Sequence, residues 1–136
     1  MSCSDNPCEG INCNNGSCNN GVCECEEGFT GINCDECFDF LEGENCDVEI
    51  RQKFIGIWRE ISNSGSSNIT ITPLNEVPSV DIQVDIGITT FSATVNTEAT
   101  NEFRWLFNDG FNSLNNAGIL VIQLDAGGPF FEYEKI

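Results

Sequence analysis

The distribution of cysteine constrains this chain more than any other feature. All nine cysteines lie between Cys3 and Cys46, and none follows. In a cytosolic protein such a cluster would indicate a metal site, so zinc is the first alternative. Cys23-Glu24-Cys25 is too tight for the usual zinc knuckle, Cys34-Asp35-Glu36-Cys37 has no obvious second pair, and the chain has no histidine. We therefore predict disulfide bonds formed in an oxidising compartment, and no bound metal.

The charge balance restricts the partners. The chain has 22 acidic and 5 basic residues and a net charge of −17, so it should repel nucleic acid and anionic lipid headgroups. No stretch approaches the roughly 20 apolar residues of a membrane-spanning helix. The first residues do not form a charged and then apolar leader, so we expect that any export signal has been removed. Nothing in the composition indicates a cofactor.

The chain divides near residue 47. Residues 1–47 contain every cysteine and no basic residue, whereas residues 48–136 contain all five basic residues and no cysteine. We predict an N-terminal tether over residues 1–7, a disulfide-rich module over 8–47 and a β domain over 48–136. A module of about 40 residues cannot bury enough apolar surface to fold unaided, so cross-links must substitute. Spacing alone leaves many cysteine pairings open.

Six cysteines follow the order of an EGF-like domain, namely Cys8, Cys13, Cys18, Cys23, Cys25 and Cys34. The step Cys23-Glu24-Cys25 and the turn Gly28-Phe29-Thr30-Gly31 resemble the most diagnostic half of that domain. Cys37 and Cys46 resemble the fourth bridge of its laminin-type variant. The resemblance covers residues 6–47 and implies the pairs Cys8–Cys18, Cys13–Cys23, Cys25–Cys34 and Cys37–Cys46.

Some EGF-like domains bind calcium, and this chain departs from their pattern. Asp5-Asn6 precedes the first paired cysteine, but Pro7 stands where a further ligand is expected. Asn19-Asn20-Gly21-Val22 also lacks the expected Asn or Asp followed by an aromatic residue. Calcium requires about six to eight oxygen ligands, and this segment does not supply them. We predict a module without metal.

Cys3 has no partner when the other eight cysteines pair. In an exported protein such a cysteine is free, joined to another molecule or modified. The stretch Ser2-Cys3-Ser4-Asp5-Asn6 resembles the start of a mature bacterial lipoprotein. This resemblance implies that Cys3 is acylated, that a polar tether follows, and that the protein is anchored by lipid to an outer membrane.

The second part alternates apolar and polar residues with a period of two, the pattern of half-buried strands. The runs are Ile69 and Ile71; Val80, Ile82, Val84 and Ile86; Phe91, Ala93 and Val95; Phe103, Trp105 and Phe107; and Phe131, Tyr133 and Lys135. Residues 119–122 are apolar on both faces and predict a central strand. No window favours a helix. The sequence is therefore mostly β, and this part should be an antiparallel barrel or sandwich of about seven to eight strands.

The segment Phe54-Ile55-Gly56-Ile57-Trp58-Arg59 resembles the Gly-x-Trp first strand of lipocalin-like barrels. That resemblance implies a small apolar ligand in the barrel mouth and an arginine over the tryptophan near the last strand. No such arginine is evident, and Lys135 is the nearest candidate. Residues 48–136 are fewer than a full lipocalin uses, so we expect the interior to be filled mainly by the chain's own side chains. The expected core is Phe54, Trp58, Ile82, Val84, Phe103, Trp105 and Leu120.

Catalytic residues are hard to find. Without histidine, catalysis would have to rest on carboxylates, serines or lysines. The carboxylate pairs Asp81/Asp85 and Glu132/Glu134 alternate on polar strand faces, which indicates a solvated surface, and we predict that the protein is not an enzyme.

Most aromatic residues of the second part should lie in the core, with one or two, such as Phe111, exposed. Asn15 and Asn68 begin Asn-x-Ser/Thr sequons that matter only in a eukaryotic host.

The sequence thus predicts a non-catalytic secreted or cell-surface protein, a lipoprotein if Cys3 is acylated. It would serve as a binding, adhesion or assembly module for a protein or glycan outside the cell, with the EGF-like part as a rigid spacer. The alternative is a lipocalin-like carrier of a small apolar ligand. If the β domain does not close completely, its open sheet edge could also accept a strand from a second copy.

Overall fold

A computed structural model describes residues 6–62 and 67–136, and this part of the chain contains strands and turns but no helix. The chain divides into two compact units, Met1–Val48 and Glu49–Ile136. This boundary is one residue from the one that the cysteine distribution indicates.

The first unit contains short strands in two-stranded sheets. β1 (Gly16–Asn19) pairs with β2 (Val22–Cys25), β3 (Phe29–Thr30) with β4 (Glu36–Cys37), and β5 (Leu41–Glu42) with β6 (Val48–Glu49), whose second residue is the first of the second unit. Asn20 and Gly21 form the turn between β1 and β2 with φ angles of 51° and 84°. A two-residue hairpin turn with both central φ angles positive favours Asn-Gly, which explains this dipeptide.

Four disulfides cross-link the first unit. They join Cys8 to Cys18, Cys13 to Cys23, Cys25 to Cys34 and Cys37 to Cys46, the same pairs that the EGF-like resemblance implies. The small core of the unit consists largely of these cysteines, because Cys34 and Cys46 are buried beside Phe29. Gly28 permits this packing, since a Cβ atom at that position would lie 2.3 Å from the Cys46 carbonyl oxygen.

The second unit is a closed barrel of eight antiparallel strands. Each strand pairs with the next one along the chain, and the last pairs with the first. The strands are β7 (Gly56–Glu60), β8 (Asn68–Pro73), β9 (Asp81–Asp85), β10 (Thr90–Val95), β11 (Glu102–Trp105), β12 (Phe111–Leu114), β13 (Ile119–Gln123) and β14 (Phe130–Lys135).

Closure of the barrel bears on two expectations. β14 pairs with β13 on one side and with β7 on the other, where Tyr133 lies opposite Glu60 and Lys135 opposite Trp58. The barrel strands therefore have no open edge, so the condition under which a second copy could add a strand at such an edge is not met. Residues 119–122 have a neighbouring strand on each side, as a central strand would, but in a closed barrel every strand has two neighbours. Assembly through another surface stays a prediction.

The barrel interior is filled by inward-facing apolar side chains. All seven residues of the expected core are buried. The same cluster contains Ile50, Ile69, Ile71, Ala93, Val95, Ile122 and Tyr133. Aromatic rings meet edge to face within it, with centroids 5.2 Å apart for Phe54 and Phe103 and 5.4 Å apart for Phe103 and Trp105.

The Gly-x-Trp segment has a structural explanation in this barrel. The Trp58 indole donates a hydrogen bond to the Phe54 carbonyl at 2.8 Å. The Lys135 ammonium lies 5.3 Å from the centre of the Trp58 ring, the place where the lipocalin-like resemblance implies a cation. A Cβ atom at Gly56 would lie 2.7 Å from Lys135 Cε, so glycine leaves room for the lysine stem to cross the tryptophan.

Because the strands alternate in direction, their loops fall at two ends. The base end carries the loops at 74–80, 96–101 and 115–118, together with the chain that enters β7; the mouth end carries residues 61, 62 and 67 and the loops at 86–89, 106–110 and 124–129. The base end is closed by the buried side chains of Ile50 and Phe54, which precede β7.

Arg51 fixes the loop between β8 and β9 at the base end. Its buried guanidinium pairs with Glu49 Oε2 at 2.6 Å. It also donates to the carbonyl oxygens of Asp81 at 2.7 Å and Val77 at 2.9 Å, and to both oxygens of Asn75 at 3.2 Å. These contacts satisfy the carbonyls of Asn75 and Val77 in the loop and add a second donor to the Asp81 carbonyl, which also accepts from the Leu74 N–H at 3.2 Å. Nothing in the sequence pattern indicated them.

Candidate binding site at the mouth of the barrel

A small pocket opens at the mouth end. Its volume is about 180 Å³. All eight of its lining residues continue the inward-facing positions of their strands, as Glu60 continues Gly56 and Trp58. The lining residues are Glu60, Ser67, Ile69, Ile86, Ile122, Leu124, Phe131 and Tyr133.

Glu60 is the charged side chain of this lining. Its Oε2 atom accepts a hydrogen bond from Ser67 Oγ at 2.5 Å, and its Oε1 atom accepts one from Ser62 Oγ at 3.4 Å. The backbone N–H of Glu60 donates to the Ser67 carbonyl at 3.1 Å. These bonds hold a partly exposed carboxylate at the end of β7.

Tyr133 lies opposite Glu60 across the ladder between β14 and β7. Its pKa is raised above the ordinary value of 10.0, first because burial disfavours the charged phenolate and second because the Glu60 carboxylate repels it. The phenol is therefore protonated at neutral pH. The mouth thus places one carboxylate and two neutral hydroxyls, those of Ser67 and Tyr133, among aliphatic and aromatic side chains.

The pocket is small for a carrier. Sites for drug-sized ligands occupy about 300–1,000 Å³, whereas this one occupies about 180 Å³. The rest of the barrel interior is occupied by the buried cluster. A ligand at the mouth would therefore have to be compact.

Exposed apolar side chains surround the mouth. Four of them, which we call the rim, are half or more exposed: Ile88 (92 %), Leu106 (63 %), Phe107 (50 %) and Phe130 (56 %). Phe111 is also exposed, so the expectation of one or two exposed aromatic residues was wrong. β11 ends at Trp105, and Phe107 consequently lies in a turn, where it stacks on Phe91 at a centroid distance of 4.6 Å.

The charges differ between the two ends. The described residues of the mouth-end loops include Asp109 and Asp125 and no basic residue; Glu60 and Asp85 end the strands beside them, and Arg104 stands one residue before the end of β11. The base end has the basic residues Arg51, Lys53 and Lys135 together with acidic ones, among them Glu49, Glu76 and Glu98. The mouth is therefore an apolar surface in an acidic setting.

The carboxylate pairs singled out in the sequence lie away from the pocket. Asp85 accepts a hydrogen bond from the Gly87 N–H at 2.7 Å, and Asp81 accepts one from Ser79 Oγ at 3.1 Å. Glu134 pairs with Arg59 on the exposed face of the barrel. Neither pair brings two carboxylates to one cleft.

The other sequence-based sites lie in the first unit or on strand ends. Cys3 lies outside the described residues. The Asn15 side chain is partly buried and donates to the Cys34 carbonyl at 3.1 Å, whereas Asn68 is exposed at the start of β8. Within residues 6–62 and 67–136, no group of three or more His, Cys, Asp or Glu side chains could hold a metal ion.

Sequence reasoning missed Glu60 and Tyr133 as a pair. The sequence contained part of the evidence for this pair. Gly56, Trp58 and Glu60 are alternate residues of one strand, so Glu60 faces the same side as Trp58, which was expected in the core. Their proximity depends on the closing contact between β14 and β7, which joins residues far apart in the chain.

No helix in the described part of the chain is long and apolar enough to cross a lipid bilayer. The four disulfides indicate an extracellular protein or another oxidising compartment. Comparison with protein-family models, curated proteins and solved structures finds no match for this chain.

Proposed function

We propose that this protein is a non-catalytic extracellular binding module that recognises its partner with the mouth end of the barrel. The observation that carries the proposal is the rim, four well-exposed apolar side chains on the loops and strand end at one end of a closed barrel. Contiguous exposed apolar surface on a soluble domain commonly marks an interaction site. Closure supports this choice, since a barrel without open edges must bind through its loops or its outer wall.

The partner belongs outside the cell and presents an apolar surface with basic residues. The acidic side chains at the mouth favour such a partner, and a net charge of −17 would speed its approach at low salt. A protein fits this chemistry better than an unsubstituted glycan, because a glycan offers no cation to the acidic mouth. Binding should weaken as salt screens these charges.

The two family resemblances belong to the same proposal. The first unit is an EGF-like module of the laminin type that acts as a rigid, protease-resistant spacer, and the barrel is a lipocalin-like scaffold. Their support is the four disulfide pairs and the Gly56, Trp58 and Lys135 arrangement. Acylation of Cys3 would tether the module to a membrane. The mass of the protein isolated from its own cells would test this, since a lipid adds a mass that Cys3→Ser removes.

A matched pair of double variants tests the rim. Ile88→Ser/Leu106→Ser removes two exposed rim side chains, and Val77→Ser/Ile136→Ser removes two similarly exposed ones at the base end. Labelled protein is added to cells and extracellular matrix of the source organism. We expect the rim variant to lose about tenfold or more of its affinity, as an interface centre does, and the base-end variant to retain it. Equal loss in both variants, or no binding by the unaltered protein, would contradict the proposal.

A second candidate is the carrier, and the mouth pocket is the observation that favours it. At about 180 Å³ the pocket restricts the carrier to a compact ligand. Saturation binding of small apolar probes that depends on the pocket residues would support it.

A further inference from the structure

We infer that a cleft at the mouth end of β11 and β12 binds a small zwitterion with an apolar group, of which a free α-amino acid is the simplest example. This cleft, which we call the side cleft, has a volume of about 270 Å³. Its lining residues are Arg104, Trp105, Asn108, Asp109, Gly110 and Phe111. None of the four rim residues is among them, so the inference goes beyond the proposed function.

Arg104 supplies an unpaired positive charge. It is exposed on β11, directly opposite Phe111 on β12. Within the described residues its guanidinium has neither an ion pair nor a hydrogen bond, although the chain has 22 acidic residues. The other four basic residues each have a described contact, namely Arg51, Lys53, Arg59 and Lys135. A guanidinium with free donors can bind a carboxylate or a phosphate through two parallel hydrogen bonds.

Asp109 supplies an unpaired negative charge in the same cleft. In the part of the chain that the structure describes, its carboxylate accepts no hydrogen bond and pairs with no cation, Arg104 included. A ligand with only a negative charge would be repelled by Asp109, and a ligand with only a positive charge would be repelled by Arg104. A zwitterion offers each of the two side chains a partner of opposite charge.

The loop that carries Asp109 is held in place on both sides of that residue. Asn108 Nδ2 donates to Asp125 Oδ1 at 3.0 Å, and Asn108 Oδ1 accepts from the Gly110 N–H at 2.9 Å. Gly110 is buried so closely that a Cβ atom there would lie 2.7 Å from the Leu124 carbonyl oxygen. The side cleft is therefore largely formed before a ligand arrives, which lowers the entropic cost of binding.

Two aromatic residues form the apolar part of the side cleft. Phe111 is 42 % exposed, whereas Trp105 is buried and its indole donates to the Gln123 carbonyl at 2.9 Å. An aromatic ring packs against apolar groups and attracts a cation to its face. A volume of about 270 Å³ lies just below the range of sites for drug-sized ligands, so the ligand should be about the size of an amino acid.

The test titrates the isotope-labelled full chain with three probes of similar shape. Phenylalanine carries both charges, its amide lacks the carboxylate, and N-acetylphenylalanine lacks the ammonium. The backbone amide resonances of Gly110 and Phe111 report binding in the side cleft. We expect phenylalanine to bind about fivefold more tightly than either other probe, which is the contribution of a good ion pair at an exposed site.

The overall charge of the protein cannot produce this preference. A chain with a net charge of −17 attracts cations in general, so it favours the amide, which is a cation, over phenylalanine. Binding of all three probes with equal affinity, or binding of the amide alone, would overturn the inference.

Two substitutions should each cancel one preference. Arg104→Gln should bring phenylalanine and its amide to about the same affinity and keep the preference over N-acetylphenylalanine, and Asp109→Asn should do the reverse. Arg59→Gln and Glu134→Gln remove the same charges from an exposed pair elsewhere on the barrel, so these matched controls should change neither preference. An equal loss of affinity for all three probes in Arg104→Gln, or preferences that survive both cleft substitutions, would contradict the site.

Phosphocholine separates a free amino acid from a lipid headgroup, because it joins an anion to an ammonium without N–H donors. Binding of phenylalanine alone supports a free amino acid, binding of phosphocholine at least as tight supports a headgroup, and failure of both overturns the inference. If both fail while Ile88→Ser/Leu106→Ser still abolishes cell binding, the side cleft is not a zwitterion site and the proposed recognition function stands.

Discussion

The two units of this chain are stabilised in different ways. In the first unit the buried core is Phe29 with Cys34 and Cys46, and the residues packed against it are mostly cysteines. In the barrel the buried cluster is aliphatic and aromatic and contains no sulfur. A short unit buries too little apolar area to fold without cross-links, whereas eight closed strands bury enough. Reduction of the disulfides should therefore destabilise the first unit, and a loss of core side-chain volume should destabilise the barrel.

The largest expected effect is selective unfolding by reduction. Each bridge contributes about 2–4 kcal/mol, and the first unit has four. Reducing agent should abolish hydrogen-exchange protection in the hairpin of β1 and β2 while β7 to β14 keep theirs. The oxidised protein under the same conditions is the control. Loss of protection in both units together would show that the barrel depends on the bridges.

Truncation of a core side chain in the barrel should have the opposite effect: it should destabilise the barrel and leave the first unit unchanged. Trp58 is fully buried and its indole bonds to Phe54. Trp58→Ala leaves a cavity and should lower the free energy of unfolding of the barrel by about 3–5 kcal/mol. Denaturant unfolding followed by circular dichroism would measure it.

The matched control is Ile57→Ala, which alters the exposed face of the same strand and should change stability by less than about 0.5 kcal/mol. The disulfide pattern of the first unit should be unaltered in both variants. A Trp58→Ala protein that unfolds at the denaturant concentration of the parent would mean that the interior collapses around the missing ring.

The barrel also depends on one buried polar contact. Arg51→Met removes the charge paired with Glu49 and the guanidinium donors to the carbonyls of Val77 and Asp81. Breaking a buried pair costs about 3–5 kcal/mol, and because Glu49 is partly exposed we expect about 3 kcal/mol. Thermal unfolding would show the loss.

Arg59 supplies the comparison, because its pair with Glu134 is exposed. Arg59→Met should cost at most about 1 kcal/mol. Similar losses in the two variants would argue against a special role for the Arg51 contacts.

The sequence predicted what depends on local pattern. Alternation located the strands and the seven core residues, since a side chain's face follows from its parity once it lies in a strand. Alternation shows which face of a strand a residue lies on, but not at which residue the strand ends. Phe107 was therefore expected in the core as if the strand extended that far. Barrel closure and the partners of Arg51 join residues distant in the chain, so no local pattern contains them. The four disulfide pairs came from a family resemblance, because spacing alone did not select them.

The smallest expected effect concerns Tyr133, and it examines the mouth of the barrel, the part of the core nearest solvent. Burial is the larger cause of its raised pKa and the charge of Glu60 the smaller one. Absorbance titration of this single tyrosine should give a pKa above 10.0, and Glu60→Gln should lower it only part of the way back. Below pH 10 both the folded and the unfolded chain hold the proton, so this group gives stability no pH dependence there. Above pH 10 the unfolded chain loses the proton first, and the free energy of unfolding should fall until the pH passes the folded pKa. A Glu60→Gln variant that titrates at the ordinary value would show that the carboxylate, and not burial, dominates, and the mouth would then be wetter than the barrel interior behind it.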